Sequence, residues 1–134
     1  MRLSDLERID TKFMFRTYDK WPEIAMESFE TKFQKIDVGE IDHIIFAGMG
    51  GSGSIGDTIS AILSKKDIHV SNVKGYLLPK TLDSKTLVIV TSVSGNTSES
   101  LAVLDHVKKT SAKFASFTSG GKIETFCKEK KVFF

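Results

Sequence analysis

The chain has 134 residues, with nineteen Lys and Arg against seventeen Asp and Glu, for a formal net charge of +2. That length fits one folded domain, and a composition of 40% hydrophobic and 27% charged residues excludes a disordered chain. So small a net charge, on scattered basic residues, gives no argument for nucleic-acid binding on charge alone. No apolar run approaches the roughly 20 residues of a membrane helix. Met1 to Arg8 lacks the apolar stretch of a signal peptide. The single cysteine, Cys127, precludes an internal disulfide and fits a reducing cytoplasm.

The first third reads as helical and is treated as an N-terminal helical segment over 1–39. Leu6, Ile9 and Phe13 share a helix face. Asp19-Lys20-Trp21-Pro22 marks a new helix start, with Pro22 in the first turn, where its missing N–H costs nothing. Ala25, Phe29, Phe33 and Ile36 follow at helical spacing, a stripe expected to form core, and Gly39 closes the segment.

From Gly39 onward strands and helices alternate. Strands are expected near 43–47, 68–71, 86–92, 112–118 and 131–134, from short apolar runs such as Ile44-Ile45-Phe46-Ala47 and Leu87-Val88-Ile89-Val90. Helices are expected between them, carried by Ile55, Ile59 and Ile62, by Leu101, Leu104 and Val107, and by Ile123, Phe126 and Cys127. Lys65-Lys66, Lys108-Lys109 and Lys128 to Lys131 fall at helix ends, where cations oppose the dipole. Such alternation predicts an α/β fold: a doubly wound, parallel, five-stranded sheet flanked by helices in a flavodoxin-like three-layer sandwich over 40–134.

In such a sheet ligands bind beyond the carboxyl ends of the strands, where the winding reverses. The loop after the first strand is Gly48-Met49-Gly50-Gly51-Ser52-Gly53-Ser54, with four glycines in its first six positions. It leads directly into a helix. One glycine would suffice for a tight turn, so the excess points to close approach of an anion, phosphate above all, to backbone N–H groups. The loop after the strongest strand is Thr91-Ser92-Val93-Ser94-Gly95-Asn96-Thr97-Ser98-Glu99-Ser100. Asn96 with Glu99 resembles a capping box, which leaves Ser92, Ser94 and Thr97 clustered beside Gly95 as hydroxyl donors. Neither loop contains Lys or Arg, so phosphate would be held by hydroxyls and N–H groups.

Gly48-x-Gly50-x-x-Gly53 also matches the dinucleotide fingerprint. That reading needs an acidic residue at the end of the second strand. The chain has Val70-Ser71-Asn72-Val73 there, and Asp67 lies at the wrong end of that strand. Asp57, in the helix after the glycine loop, is expected to face solvent or cap a neighbouring loop. Glu99 is read as a capping residue, His43 and His69 as structural, and His106 as exposed. No metal-ligand spacing occurs, and neither a metal nor a cofactor is implied.

Together the two loops resemble the SIS domain, the sugar isomerase fold, and more narrowly the N-terminal domain of the bifunctional phosphoglucose/phosphomannose isomerases. Tyr76-Leu77-Leu78-Pro79 and Ser119-Gly120-Gly121-Lys122 are similar to that family's segments at the same places. The Ser-x-Ser-Gly-Asn-Thr run is common to SIS domains. The Gly-Met-Gly-Gly-Ser-Gly loop favours the isomerase. The resemblance implies that Gly51, Ser52, Ser92, Ser94 and Thr97 bind the phosphate of a hexose 6-phosphate. Val93 stands where an aromatic residue is often found, which removes no ligand group.

The resemblance also implies aldose–ketose interconversion through an enediol, which requires a base and a cation near the oxyanion. The family's arginine follows a position matching Phe134, and its catalytic glutamate and histidine come from a second SIS domain. No residue of this chain is therefore assigned a catalytic role. The expected protein is the sugar-phosphate-binding half of a glucose 6-phosphate/mannose 6-phosphate isomerase, the first of two SIS domains, pairing as a homodimer or with the second domain. A stand-alone SIS module that senses a sugar phosphate is the alternative. Neither nucleic acid nor membrane is an expected partner.

Overall fold

The computed structural model describes residues 3–32, 35–130 and 132–133. The chain divides between Lys35 and Ile36 into two units.

The N-terminal unit contains α1 (Leu3–Ile9), α2 (Phe15–Asp19) and α3 (Trp21–Glu30). Helix α3 starts at the Trp21-Pro22 pair, as its missing N–H allows. It ends sooner than the apolar spacing suggests. Thr31 is extended, and its N–H and Oγ1 both donate to the Glu27 carbonyl, at 3.0 and 2.7 Å. Its hydroxyl thus competes with helix propagation. Ile36 lies outside the helix, and Phe33 outside the described residues. Phe13 also falls outside α1, at a φ of 53°.

The aromatic stripe is not a core. No residue of the three helices is buried, and Phe29 is 87% exposed. Helices of five to ten residues present little surface to one another. They touch through the Tyr18 and Trp21 rings, 4.8 Å apart, and through the Arg16–Glu7 ion pair at 3.4 Å.

The second unit alternates as expected: β1 (His43–Gly48), α4 (Gly51–Leu63), β2 (His69–Val73), β3 (Thr86–Thr91), α5 (Ser98–Val107), β4 (Lys113–Phe117) and α6 (Gly121–Lys130). The four strands form one parallel sheet in the order β2-β1-β3-β4. The chain winds outward from β1 to β2 and then returns across β1 to β3 and β4, so the winding reverses between β1 and β3. Of the expected fifth strand, Lys131 and Phe134 lie outside the described residues. Val132 and Phe133 are not in strand conformation, although the Ser116 N–H donates to the Phe133 carbonyl at 3.0 Å on the free side of β4.

Side-chain alternation assigns the two faces. Ile45 and Ala47 of β1 and Val88 and Val90 of β3 are buried with Val103, Leu104 and Val107 of α5, Ile123 and Cys127 of α6, and Leu78. Each such aliphatic side chain contributes about 1.5–3 kcal/mol when fully buried. Phe46 points to the opposite face, against α4. Here the structure departs from the expected isoleucine stripe: Ile55 and Ile62 are 47% and 69% exposed. Helix α4 instead seats its glycines. A Cβ on Gly56 would come within 2.7 Å of both Phe46 Cβ and Asn72 Oδ1. Backbone approach this close turns the isoleucine face outward. The β2–β3 connection also differs from expectation. It carries no helix and anchors itself through Leu78, 6% exposed.

Candidate functional site

The two loops singled out by sequence leave the sheet side by side. Gly48 and Thr91, the last residues of β1 and β3, are register partners, so the glycine loop and the Ser/Thr loop open at the same carboxyl edge. In the glycine loop, Gly50 caps α4 with φ 54° and ψ −129°, and helix α4 begins at Gly51. The Gly53 N–H donates back to the Gly50 carbonyl at 3.0 Å, and the Ser54 N–H at 3.2 Å. Gly51 and Ser52 occupy the first turn, where N–H groups have no acceptor within the helix and the dipole's positive end favours an anion. The turn is tight because Gly48 and Gly53 touch. A Cβ on Gly53 would lie 2.7 Å from the Gly48 carbonyl oxygen.

The second loop is built around a hydroxyl pair. Ser92, 3% exposed, shares a hydrogen bond of 2.9 Å between its Oγ and Thr97 Oγ1. The Ser92 N–H donates to the Phe117 carbonyl at 3.0 Å, fixing the loop to β4. Gly95 has φ 62° and lies against the β4–α6 turn, where a side chain would overlap the Gly120 carbonyl. Its own carbonyl accepts from the Ile123 N–H at 3.0 Å. Val93 is 70% exposed, and its carbonyl accepts from the Ser119 N–H and Oγ, at 3.2 and 2.5 Å. Ser94 is exposed. All five residues expected to hold phosphate, Gly51, Ser52, Ser92, Ser94 and Thr97, therefore lie on loops or first helical turns at one edge of the sheet.

The capping box does not form. The N-cap of α5 is Thr97, without a side-chain cap. The Asn96 side chain spans two loops instead: Nδ2 donates to the Ser94 carbonyl at 2.9 Å, and Oδ1 accepts from the Lys122 N–H at 3.2 Å. Glu99 accepts from Ser98 Oγ at 3.0 Å. Asn96 is diverted because α6 starts close by and presents an N–H in need of an acceptor.

Sequence reasoning missed the contribution of β2 and the segment after it to this edge. Asp57 is not left to repel an anion: Lys74 Nζ lies 2.6 Å from its Oδ2, and Asn72 Nδ2 donates to its Oδ1 at 3.2 Å. Tyr76 OH approaches Ser98 Oγ at 3.4 Å. The only sequence signal was that Asn72, Lys74 and Tyr76 lie at or just past the carboxyl end of the second strand. Which strand lies beside β1 is a tertiary fact.

The histidines stand elsewhere. His43 and His69 are register partners at the start of β1 and β2, away from the loops, and both Nε2 atoms approach Ser71 Oγ, at 2.9 and 3.2 Å. Burial lowers the His43 pKa, helped by His69, against weaker opposing effects of Asp42 and Asp83. Asp83 is held low mainly by the Thr86 hydroxyl. Asp105 is lowered to about 2 by Lys108 and Lys109, which follow α5 as the charge reading expected. His106 is half-buried rather than exposed. Among the described residues, no cluster of three or more His, Cys, Asp and Glu could hold a metal ion, and no helix is long and apolar enough to cross a membrane.

Comparison with known proteins agrees with this geometry. The SIS domain profile matches residues 39–129. A bifunctional phosphoglucose/phosphomannose isomerase of Caldicellulosiruptor bescii is 34% identical over 87% of this chain and 35% of its own length. One of Thermoplasma volcanium is 38% identical over 70% of this chain and 31% of its own. The chain thus spans about a third of the length of these curated relatives. A crystal structure from Clostridium difficile 630, provisionally described as a phosphosugar isomerase, superposes on 86% of the chain and 34% of its own with a TM-score of 0.65 at 20% identity, a likeness of fold. With the profile covering more than half of its residues, and the parallel sheet and paired loops in place, the chain belongs to the SIS domain family.

Proposed function

We propose that the two loops bind the phosphate of a hexose 6-phosphate, and that the chain is the sugar-phosphate-binding half of an aldose–ketose isomerase acting on glucose 6-phosphate, mannose 6-phosphate and fructose 6-phosphate. The observation that carries this reading is the register of Gly48 with Thr91, which sets the glycine-lined start of α4 beside the Ser92–Thr97 hydroxyl pair. The relatives named for phosphoglucose and phosphomannose isomerisation support the choice of sugar.

In this reading Gly51 and Ser52 donate backbone N–H groups, and Ser52, Ser92, Ser94 and Thr97 supply hydroxyls. Each hydrogen bond to a charged group contributes ~1.5–3 kcal/mol, so several hold a phosphate without a salt bridge. Fixing the phosphate orients the hexose and leaves C1 and C2 several bonds away. Proton transfer there needs a base within ~2.6–3.2 Å, and the donors of the two loops are hydroxyls and N–H groups. The nearest carboxylate on them, Glu99, accepts from Ser98. The base is assigned to a second SIS domain, supplied in cis or by pairing.

Calorimetry with glucose 6-phosphate, and with glucose as control, tests the reading. Ser94→Ala is expected to weaken glucose 6-phosphate binding roughly 10- to 150-fold. Equal affinity for the two sugars would overturn it.

A further inference from the structure

Beside the loops stands a third wall, which begins where β2 leaves the sheet. Val73, its last residue, is the register partner of Ala47, so Lys74 emerges next to Gly48 and the glycine loop. The Lys74 stem lies across the first turn of α4: its Cε is 3.3 Å from the position a Cβ on Gly53 would occupy. Its ammonium is drawn one turn further along the helix to Asp57, with Nζ 2.6 Å from Oδ2 and both side chains about half exposed. Asn72, two residues earlier, steadies the other carboxylate oxygen at 3.2 Å. The segment then runs toward the second loop, where Tyr76 OH lies 3.4 Å from Ser98 Oγ. Residues 72–77 line an open groove along this path.

We propose that Lys74 is a phosphate-binding residue of this site that exchanges between Asp57 and the ligand. The inference rests on the phosphate reading given above. Neither loop contains Lys or Arg, so an arriving dianion would meet N–H dipoles and hydroxyls opposed by the Asp57 carboxylate one to two turns into α4. Lys74 cancels that carboxylate. It also has the reach to do more, because its stem already crosses Gly53 and rotation of its terminal bonds carries the ammonium toward the helix start. A half-exposed ion pair is weak, and a phosphate group offers the ammonium more negative charge and more acceptor oxygens than the single Asp57 carboxylate does. The ligand can therefore compete for Lys74.

The test is a set of single variants of the full chain, titrated with glucose 6-phosphate and with inorganic phosphate at two salt concentrations. Lys74→Met is expected to weaken binding roughly 3- to 20-fold and to flatten its salt dependence. Asp57→Asn, which frees the ammonium and removes the opposing carboxylate, is expected to tighten binding by a few-fold. Lys74→Arg should retain most of the affinity. A merely structural pair would weaken binding in both single variants, since either change breaks it, and that result overturns the proposal. So does unchanged affinity in Lys74→Met when Ser94→Ala still weakens binding, which leaves the phosphate reading intact. Binding that depends on Lys74 and not on Ser94 overturns the loop reading and sustains Lys74. Absence of binding by the wild-type chain overturns both. Thermal unfolding of each variant shows whether it is folded at the temperature of titration.

Discussion

Gly51→Ala separates a ligand's demand for glycine from the fold's. A Cβ built on Gly51 meets nothing within 4 Å, and Gly51 is not among the glycines with positive φ. The fold therefore does not require glycine there. Alanine is favoured over glycine by ~0.5–1 kcal/mol inside a helix, and less in a first turn, so stability is expected to stay level or to rise by up to ~1 kcal/mol. Affinity is expected to move the other way. The added methyl stands at the mouth of the N–H cradle and holds phosphate off one donor. Losing one hydrogen bond to a charged acceptor costs ~1.5–3 kcal/mol, or roughly 10- to 150-fold in Kd. Urea unfolding gives the first quantity and calorimetry with glucose 6-phosphate the second. A variant as stable as wild type and as tight would show that phosphate does not approach Gly51, and the backbone cradle would have to be abandoned.

Gly95→Ala should behave oppositely. The left-handed φ of 62° costs ~1–2 kcal/mol for alanine, and overlap with the Gly120 carbonyl adds an overpacking cost of ~1–3 kcal/mol. A loss below ~1 kcal/mol in urea would mean that the Ser/Thr loop is not locked onto the β4–α6 turn. Stability should fall on mild acidification. His43 has a folded-state pKa below its ordinary 6.5, so the unfolded chain binds the extra proton first. Its contribution is intact above pH 6.5 and declines as pH drops through 6.5 toward the lower folded value. Asp83 and Asp105, both depressed, add a further loss as pH falls through the ordinary carboxylate value of 3.8 and below. Thermal midpoints between pH 8 and 5 that are flat, and unchanged by His43→Gln, would contradict this order. Finally, the 134-residue chain should bind fructose 6-phosphate without isomerising it. Turnover within an order of magnitude of a two-domain isomerase, in a coupled assay, would show that Glu99 or a histidine acts as base.

The sequence announced β1 and β3 most strongly, and the weaker β2 and β4 were expected as well and are found. Ile44 to Ala47 and Leu87 to Val90 are short unbroken apolar runs flanked by turn residues, the pattern of a strand covered on both faces. The position of the candidate site was legible for a related reason. Four glycines ahead of a helix and a cluster of hydroxyls on one loop pointed to an anion, although the turn itself accounts for Gly48, Gly50 and Gly53 and leaves Gly51 as the one of the four that the fold does not require. Patterning failed where a helix face is defined by what is missing. Gly53 and Gly56 seat α4 through the absence of side chains, so the apolar Ile55 and Ile62, which the period assigns to the core, turn outward. It failed again on α3, whose apolar stripe reports only that a partner surface is wanted.

Strand order was beyond local pattern altogether. No short-range property of Asn72, Lys74 or Tyr76 says that β2 lies beside β1, since parallel strands are joined by long crossovers that leave pairing to the whole sheet. The tertiary structure decided that Lys74 crosses Gly53 and pairs with Asp57, and that Tyr76 reaches Ser98. Local pattern was enough to pick out the two loops rich in glycine and hydroxyls and the class of fold that displays them. The winding of the sheet determined that they share an edge, and it placed a cation beside them.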